Sequence, residues 1–553
     1  MSSTPQTRLD LLIDLISIPS VTQSPEEDLA SQFIYERLSS LAYFQENPHL
    51  LRRYPTPLER DSRPLHTVFA RVMAPVPTPR TVVLVGHFDV VEVSMYGELR
   101  DLAFSPHELR EALKRNTELL NHKACADLES GRFLFGRGSM DMKCGLVLGM
   151  ELLRDFCENR NLFDVNLLLV AVPDEENSSA GMRGAVKELA RLRDEEGLEF
   201  ICALNTEPSE PGRPGAENQV VFTGTVGKIS PVFLCVGQES HVGNYYCGLS
   251  APLLAAQLVN LAEANPDLAD PAGENTCPSW ICLGLEILRE SYSVTVPNRA
   301  VAYFNCFSVH KTPAQIMQEI KQIARQSITQ CLEKIHASSR ALLKMGYANG
   351  SAQNWEVPFL TVEELVKAAE ERLGGADALR EKVRRAVSES GKSDLRDLAI
   401  AALLEIHLQS GLSGPMIVGG FLPPYYPARN NQITEPTFEA VNKAVAAVIS
   451  QAGKEHGIIL EECPLFAGIC DLSYMGFQGK PDELASFQRN LADQGALYEF
   501  PARELTRLDV PIVNLGPCGY DAHKLGERLE LDYSLNVLPK LIKFFIGKLA
   551  QNA

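Results

Sequence analysis

The chain has 553 residues, of which 45% are apolar and 22% charged, the composition of a globular protein with two or more domains. Asp and Glu number 70 against 52 Lys and Arg, which gives a formal net charge of -18. This charge excludes nucleic acid and anionic membrane surfaces as expected partners. No apolar run reaches the ~20 residues of a membrane helix. With no targeting pattern over residues 1–10 and thirteen cysteines read as reduced thiols, we expect a cytoplasmic protein.

The N-terminal part of the chain alternates helical and strand patterns, which is typical of an α/β fold. Apolar residues at helical spacing predict helices over residues 7–18 and 26–41. A β-like run predicts a strand over residues 66–72, and nearly continuous apolar runs predict strands over 81–85, 166–172 and 200–205, with a related one at 511–515. Such strands are typical of a sheet that is covered on both faces.

The middle of the chain has a different pattern, typical of a small α+β sandwich. Its predicted elements are strands over 220–234, 280–288 and 291–305, helices over 250–264 and 312–333, a charged helical insertion over about 361–410, and a strand over 416–421. We therefore expect a catalytic domain of residues 1–220 and 425–553, and a second domain of residues 221–424.

Acidic residues and histidines follow several of the predicted strands. They are His87, Asp89, Asp141 in a glycine-punctuated loop, Glu175, Glu176, Glu207 and His523. Each alone has an ordinary explanation, such as a turn, a helix cap or a solvated acidic loop. Together, at the carboxyl ends of strands, they would converge on one rim of the sheet. Mixed imidazole and carboxylate ligands suit Zn²⁺, with Mn²⁺ or Co²⁺ as alternatives, and two such ions can share a carboxylate.

The order and context of these motifs resemble the co-catalytic zinc family of aminoacylases, glutamate carboxypeptidases and succinyl-diaminopimelate desuccinylases. The resemblance spans nearly the whole chain. It implies a zinc-peptidase-like catalytic domain, with a mixed sheet flanked by helices, and an inserted α+β sandwich lid domain that carries the helical insertion. Chain length, this insertion and the run Phe466–Tyr474 are similar to a branch of predicted deacylases linked to arginine utilisation.

The resemblance also implies a role for each residue of the rim. Two divalent metal ions, expected to be zinc, would be bound by five residues: His87, Asp141, Glu176, Glu207 and His523. Asp141 would bridge the ions, and its peptide bond to Met142 would be cis. Asp89 would orient the ring of His87, and Glu175 would be the general base. His241 of the lid would stabilise the oxyanion, often from the partner subunit of a homodimer that forms through the lid.

The predicted function is hydrolysis of an amide bond in an N-acyl amino acid or a small peptide, with arginine derivatives among the candidate substrates. The motifs do not separate a deacylase from a dipeptidase. Cys306–His310 departs from the Asp-x-Arg of many relatives, so the group that binds a substrate carboxylate stays open. The alternative is a non-catalytic binding or regulatory protein that retains the hydrolase fold. Retention of every expected ligand and of the base favours the enzyme.

Overall fold

The computed structural model describes residues 4–56, 63–209, 218–272, 276–289, 293–347, 350–431 and 436–552. Its helices are α1 (Pro5–Ile16), α2 (Glu26–Ser39), α3 (Ala42–Glu46), α4 (Pro106–Arg115), α5 (His122–Ser130), α6 (Lys143–Glu158), α7 (Ala180–Glu196), α8 (Ala251–Ala262), α9 (Pro313–Lys344), α10 (Val362–Leu373), α11 (Ala376–Glu389), α12 (Leu395–Ser410), α13 (Pro436–His456), α14 (Pro481–Arg489), α15 (Ala502–Leu505) and α16 (Leu538–Asn552). Its strands are β1 (Leu51–Pro55), β2 (His66–Val72), β3 (Arg80–His87), β4 (Phe133–Phe135), β5 (Asn166–Val172), β6 (Glu199–Asn205), β7 (Gln219–Phe222), β8 (Gly224–Thr225), β9 (Gly227–Val236), β10 (Ile281–Ile287), β11 (Arg299–Ser308), β12 (Phe359–Thr361), β13 (Met416–Tyr426), β14 (Arg429–Asn430), β15 (Leu460–Cys463), β16 (Ile512–Asn514), β17 (Gly519–Tyr520) and β18 (Arg528–Glu530).

The chain divides into two compact units. The first comprises Met1–Val226, Arg429–Gln478 and Arg503–Ala553, and the second comprises Gly227–Ala428 and Gly479–Ala502. The segment Gly479–Ala502 therefore lies in the second unit, whereas the expected catalytic domain of residues 425–553 includes it. Aromatic packing explains the difference, because Phe487 and Phe500 of this segment lie 4.6 and 5.2 Å from the ring of Tyr425.

Eight strands of the first unit form one mixed sheet, in the order β1-β2-β5-β3-β6-β16-β7-β15. Within it, β5, β3, β6 and β16 run parallel to one another. Because parallel strands end at the same edge, the loops that follow these four strands lie side by side. This edge is where ligands bind in open α/β sheets.

The central strands of this sheet are apolar because both of their faces are covered. In β3, Val82 and Leu84 join a core that includes residues of α1, α6 and α16. Val83 and Val85 point to the opposite face and are buried there. Burial of one such side chain contributes roughly 1.5–3 kcal/mol, so the strands that carry the site are firmly held.

The second unit is built on a five-stranded sheet, in the order β10-β11-β9-β13-β12. The predicted helical insertion consists of α10, α11 and α12, whose Leu365, Val383 and Leu403 are buried in one core with residues of this sheet. Local signals set the limits of α10. Thr361 forms a capping box at its start, and Gly374, at φ 85°, ends it in the left-handed conformation.

The predicted fold class is confirmed: a mixed sheet flanked by helices, with an α+β unit that carries a helical insertion. The strands predicted over 66–72 and 166–172 have those bounds in the structure. The strand predicted over 220–234 was wrong in extent, since this stretch forms β7, β8 and part of β9. Residues 291 and 292 of the strand predicted over 291–305 lie outside the described residues.

None of the helices in the described part of the chain combines the length and the apolar character needed to cross a membrane.

Candidate metal centre and active site

The edge formed by the four parallel strands brings the predicted rim residues together. His87 ends β3, Glu175 and Glu176 follow β5, Glu207 follows β6, and His523 lies between β17 and β18. Two overlapping groups of possible metal-binding atoms result, and the atoms of each lie within 4.8 Å of one another. The groups are His87, Asp141 and Glu207, and Asp141, Glu176 and His523.

The first group has an imidazole nitrogen that faces carboxylate oxygens. His87 Nδ1 lies 2.9 Å from the backbone oxygen of Asp89, and because a carbonyl only accepts, Nδ1 carries the ring proton. In the neutral ring, Nε2 then presents a lone pair to Asp141 Oδ1 at 3.4 Å and to Glu207 Oε1 at 3.5 Å. Such a set of lone pairs repels itself unless a positive charge lies among them.

Three polar atoms of this group are buried with no hydrogen-bond partner in the described structure. They are His87 Nε2, Asp141 Oδ1 and Glu207 Oε2. Buried polar groups normally have hydrogen-bond partners. Three buried acceptors without partners at one point therefore indicate a binding site for a cation. One imidazole and two carboxylates are donors that Zn²⁺ accepts, and the residues present therefore fit a divalent metal ion.

The second group shares Asp141 with the first. His523 Nε2 lies 3.1 Å from Asp141 Oδ2 and 3.1 Å from Glu176 Oε1. The two oxygens of Asp141 thus face different groups, which is the arrangement that a carboxylate shared by two metal ions requires. The side chain of His523 is 50% exposed, so this side of the centre is open to solvent.

The pKa values at the rim indicate a demand for positive charge. Burial alone would lower the pKa of His87, but Glu207, Asp141 and Asp89 raise it well above its usual value. Hydrogen bonds to Asp141 and Glu176 raise the pKa of His523 to about 10. Burial raises the pKa of Glu207 to about 7. These side chains therefore tend to hold protons when no other cation is bound, and metal ions would replace the protons.

Glu175 is a buried carboxylate that belongs to neither group. Its side chain is 7% exposed, and Oε2 lies 3.8 Å from His87 Nε2. Burial raises its pKa well above the usual range, with Glu207 and Asp471 adding to the effect and His87 opposing it. A spare carboxylate with a raised pKa beside a metal centre is suited to accept and return a proton.

Asp89 positions the backbone of the two glutamates. Its Oδ1 accepts a hydrogen bond from the N–H of Glu175 at 3.0 Å, and its Oδ2 accepts one from the N–H of Glu176 at 3.1 Å. The resemblance implied instead that Asp89 orients the ring of His87. The carboxylate lies 3.6 Å from Nδ1, farther than the backbone oxygen that the ring actually contacts.

The loop that carries Asp141 is held by Glu527, to which the sequence analysis gave no role. Glu527 is fully buried, pairs with Arg137, and accepts a hydrogen bond from the N–H of Gly138 at 2.7 Å. The peptide bond between Asp141 and Met142 is cis, as the resemblance implied. Glu527 lies four residues after His523, where the resemblance also places a glutamate, and that match was the available signal for its role.

Two further buried acids near the rim were missed. Glu27 of α2 accepts a hydrogen bond from the N–H of Asp174 at 3.1 Å, and Asp174 has a left-handed φ of 63°. No local pattern marks Glu27, because its partner is 147 residues away. Asp471 is 1% exposed and lies in the run Phe466–Tyr474, which was noted only as a point of resemblance.

His241 belongs to the second unit and lies on an exposed loop. Its Nδ1 accepts a hydrogen bond from the N–H of Gly243 at 3.1 Å. The proton of the neutral ring is therefore on Nε2, which makes that nitrogen a hydrogen-bond donor.

Comparisons with known proteins agree with this geometry. The family model described as peptidase family M20/M25/M40 matches residues 83–496. The chain is 31% identical over 545 residues to the uncharacterized protein YqjN of Bacillus subtilis, covering 99% of this chain and 96% of that protein. It is 27% identical to protein RocB of Bacillus subtilis, covering 98% and 94%. The structure of the dipeptidase Dug1p from Saccharomyces cerevisiae shares the fold, with a TM-score of 0.54, 12% identity, and coverage of 99% and 96%. The resemblance inferred from the motifs is confirmed, and the chain belongs to the M20/M25/M40 peptidase family.

Proposed function

We propose that this protein is a two-metal hydrolase that cleaves the amide bond of an N-acyl amino acid or a small peptide. One observation carries the proposal. Within the described part of the chain, His87 Nε2, Asp141 Oδ1 and Glu207 Oε2 are buried acceptors without partners, and the other oxygen of Asp141 faces His523. We expect Zn²⁺ in both positions, with Mn²⁺ or Co²⁺ as alternatives, because the donors are imidazole nitrogens and carboxylate oxygens.

The chain itself supplies proton transfer and positioning. The rim residues would hold divalent cations, which would supply Lewis-acid polarisation and lower the pKa of water. Glu175 accepts the proton of the attacking water and returns it to the departing amine nitrogen. Asp89 fixes the backbone of Glu175 through its N–H, so the base keeps a defined position. His241, with its proton on Nε2, would donate a hydrogen bond to the oxyanion of the tetrahedral intermediate.

The substrate class includes both N-acyl amino acids and dipeptides, since the rim residues act on the amide itself. Arginine derivatives are the first to test. The similarity to RocB supports them, and the net charge of -18 favours a cationic substrate. The binding-protein alternative is weaker because the described rim retains every expected ligand and the spare carboxylate of Glu175.

The test combines metal content with turnover. Wild-type protein is expected to hold about two metal ions per chain and to cleave members of a panel of N-acyl amino acids and dipeptides until a chelator is added. Glu175→Gln should lower kcat by roughly 10²–10⁴-fold while it keeps both ions. Glu188→Gln is the matched control, because Glu188 is a buried glutamate on α7 that pairs with Arg191 outside the rim.

Two results would reject the proposal. One is a protein that binds no Zn²⁺, Mn²⁺ or Co²⁺. The other is a fully loaded protein that cleaves nothing in the panel, which would favour the binding protein. Near-normal turnover by Glu175→Gln would reject only the assignment of the base.

We also propose that the second unit forms a homodimer through β10. This strand is at the edge of the five-stranded sheet, and its apolar side chains are exposed: Ile281 43%, Leu283 49%, Leu285 48% and Ile287 55%. A long apolar edge strand is a template for pairing, and a second copy offers the same edge. Leu285→Glu should convert a dimer in light scattering into a monomer. Leu408→Glu, at a 55% exposed leucine on α12, should not. A wild-type monomer at high concentration would contradict this proposal.

A further inference from the structure

Asp471 is a buried carboxylate whose environment differs from that of other buried acids in the chain. It begins a short 3₁₀ turn, Asp471–Tyr474, that packs against β3 and β6, the strands that carry His87 and lead to Glu207. It is 1% exposed, and neither of its side-chain oxygens has a hydrogen-bond partner in the described structure. The proposed mechanism makes no use of this residue.

An ionised carboxylate in such a position needs compensation. Asp270 of the second unit shows the usual solution. It is 2% exposed, and its Oδ2 accepts hydrogen bonds from three successive backbone N–H groups, of Val309, His310 and Lys311, at 2.7–2.9 Å. Asp471 has no such donors among the described residues, and the energetic cost of burying a charge without partners is high. An ionised Asp471 would therefore need compensation by a nearby positive charge.

The charged neighbours of Asp471 all belong to the rim. Burial raises its pKa to about 8; Glu207 and Asp89 add to this, and His87 opposes it. Asp471 in turn raises the pKa of Glu175. Since its oxygens have no solvent exposure to speak of, a substrate group cannot reach them without displacing protein. Positive charge bound within the rim is a source of compensation that would keep Asp471 ionised.

We propose that Asp471 is an anion of the outer layer of the metal centre, which increases the affinity of the centre for divalent cations by its charge and without binding them. The inference rests on the proposed function, because it needs cations at the rim. Removal of outer groups that hydrogen-bond metal ligands lowers metal affinity by roughly 10–100-fold, and we expect loss of the charge of Asp471 to have an effect of the same order. Asp471 differs from a positioning acid such as Asp89, because it holds no backbone group.

The experiment replaces Asp471 in the full-length chain and measures two quantities. A structural role and an electrostatic role of Asp471 predict different changes in these two quantities. One is the Kd for Zn²⁺, from competition with a chromophoric chelator. The other is the Tm of the metal-free protein. Asp471→Asn should weaken Zn²⁺ binding by roughly 10–100-fold. It should leave the metal-free Tm unchanged or raise it, because the substitution removes no side-chain hydrogen bond that the described structure shows.

The control is Asp270→Asn, which should change the metal-free Tm and not the Kd for Zn²⁺. It replaces the charged acceptor of three backbone hydrogen bonds by a neutral amide oxygen and weakens them, so the metal-free Tm should fall while the Kd for Zn²⁺ stays the same. Asp471→Ser removes the charge without adding volume, and it serves if Asp471→Asn does not fold. A lower Tm with an unchanged Kd at position 471 would overturn the inference. Absence of Zn²⁺ binding by the wild type would instead overturn the proposed function, so the two failures are distinguishable.

Discussion

Replacement of Asp89 by asparagine separates two explanations of how this residue supports the rim. The resemblance implies that its carboxylate orients His87, whereas the structure places its two oxygens on the backbone N–H groups of Glu175 and Glu176. The ring of His87 contacts the backbone oxygen of residue 89, which the substitution leaves in place. Asp89→Asn therefore disturbs the two glutamates and spares the histidine.

The size of the effect follows from the hydrogen bonds. A bond to a charged acceptor contributes about 1.5–3 kcal/mol, and the asparagine keeps one oxygen, so one of the two bonds is lost. The amide nitrogen then faces a backbone N–H of Glu175 or Glu176, two donors in a fully buried place. Relief of repulsion with Glu27 and Asp174 offsets part of this loss. We expect the free energy of unfolding to fall by about 1–3 kcal/mol.

The consequences for the site are sharper than those for stability. A displacement of about 1 Å in Glu175 is expected to lower kcat by roughly 10²-fold. The group that contains Glu176 should lose its metal ion first, so metal content should fall from about two ions per chain toward one. Urea denaturation, kcat and metal analysis on the same preparation test this. Loss of the ion at His87, with kcat per loaded centre unchanged, would show that the carboxylate orients the ring and that this reasoning is wrong.

Further predictions concern packing and pH. Gly145→Ala should lower the free energy of unfolding by about 1–3 kcal/mol, because its Cβ would lie 2.5 Å from the backbone oxygen of Thr206. Gly547→Ala, in α16 with nothing within 4 Å of the new Cβ, should raise it by about 0.5–1 kcal/mol, and equal effects in urea denaturation would contradict both. Burial, aided by Arg299, lowers the pKa of His407 to about 4, so between pH 6.5 and 4 the unfolded chain takes up a proton that the folded protein refuses. The free energy of unfolding should fall by up to about 3 kcal/mol as the pH drops through this range, and His407→Leu should lose that component of the pH dependence.

The strands that carry the site were predictable because burial on both faces leaves a continuous apolar run. This explains the correct bounds of residues 166–172. The same signal failed over 220–234, where the apolar pattern continues although the chain passes from one unit to the other between Val226 and Gly227. An apolar run indicates that residues are buried, but it does not indicate in which sheet they are buried.

The rim residues were predictable as a set because each follows a strand, but their supports were not. Glu27 comes from α2, and Glu527 holds the N–H of Gly138 from 389 positions away. Asp471 lies outside every strand-end motif. Such contacts depend on how helices and loops pack over the finished sheet, and no local spacing in the sequence encodes them.

The buried acids of the rim are of two kinds, which differ in whether their oxygens accept hydrogen bonds from the protein. Asp89 and Glu527 accept backbone N–H groups, so their charge is largely compensated by the protein and their oxygens are committed to holding loops in place. Asp141 and Glu207 each keep one buried oxygen without a partner, and Asp471 keeps two. A nearby cation stabilises a carboxylate little when its oxygens already accept hydrogen bonds. It stabilises a carboxylate much more when the oxygens have no hydrogen-bond partner. Positive charge at the rim should therefore stabilise the second kind of acid and not the first, whether or not the acid touches the ion.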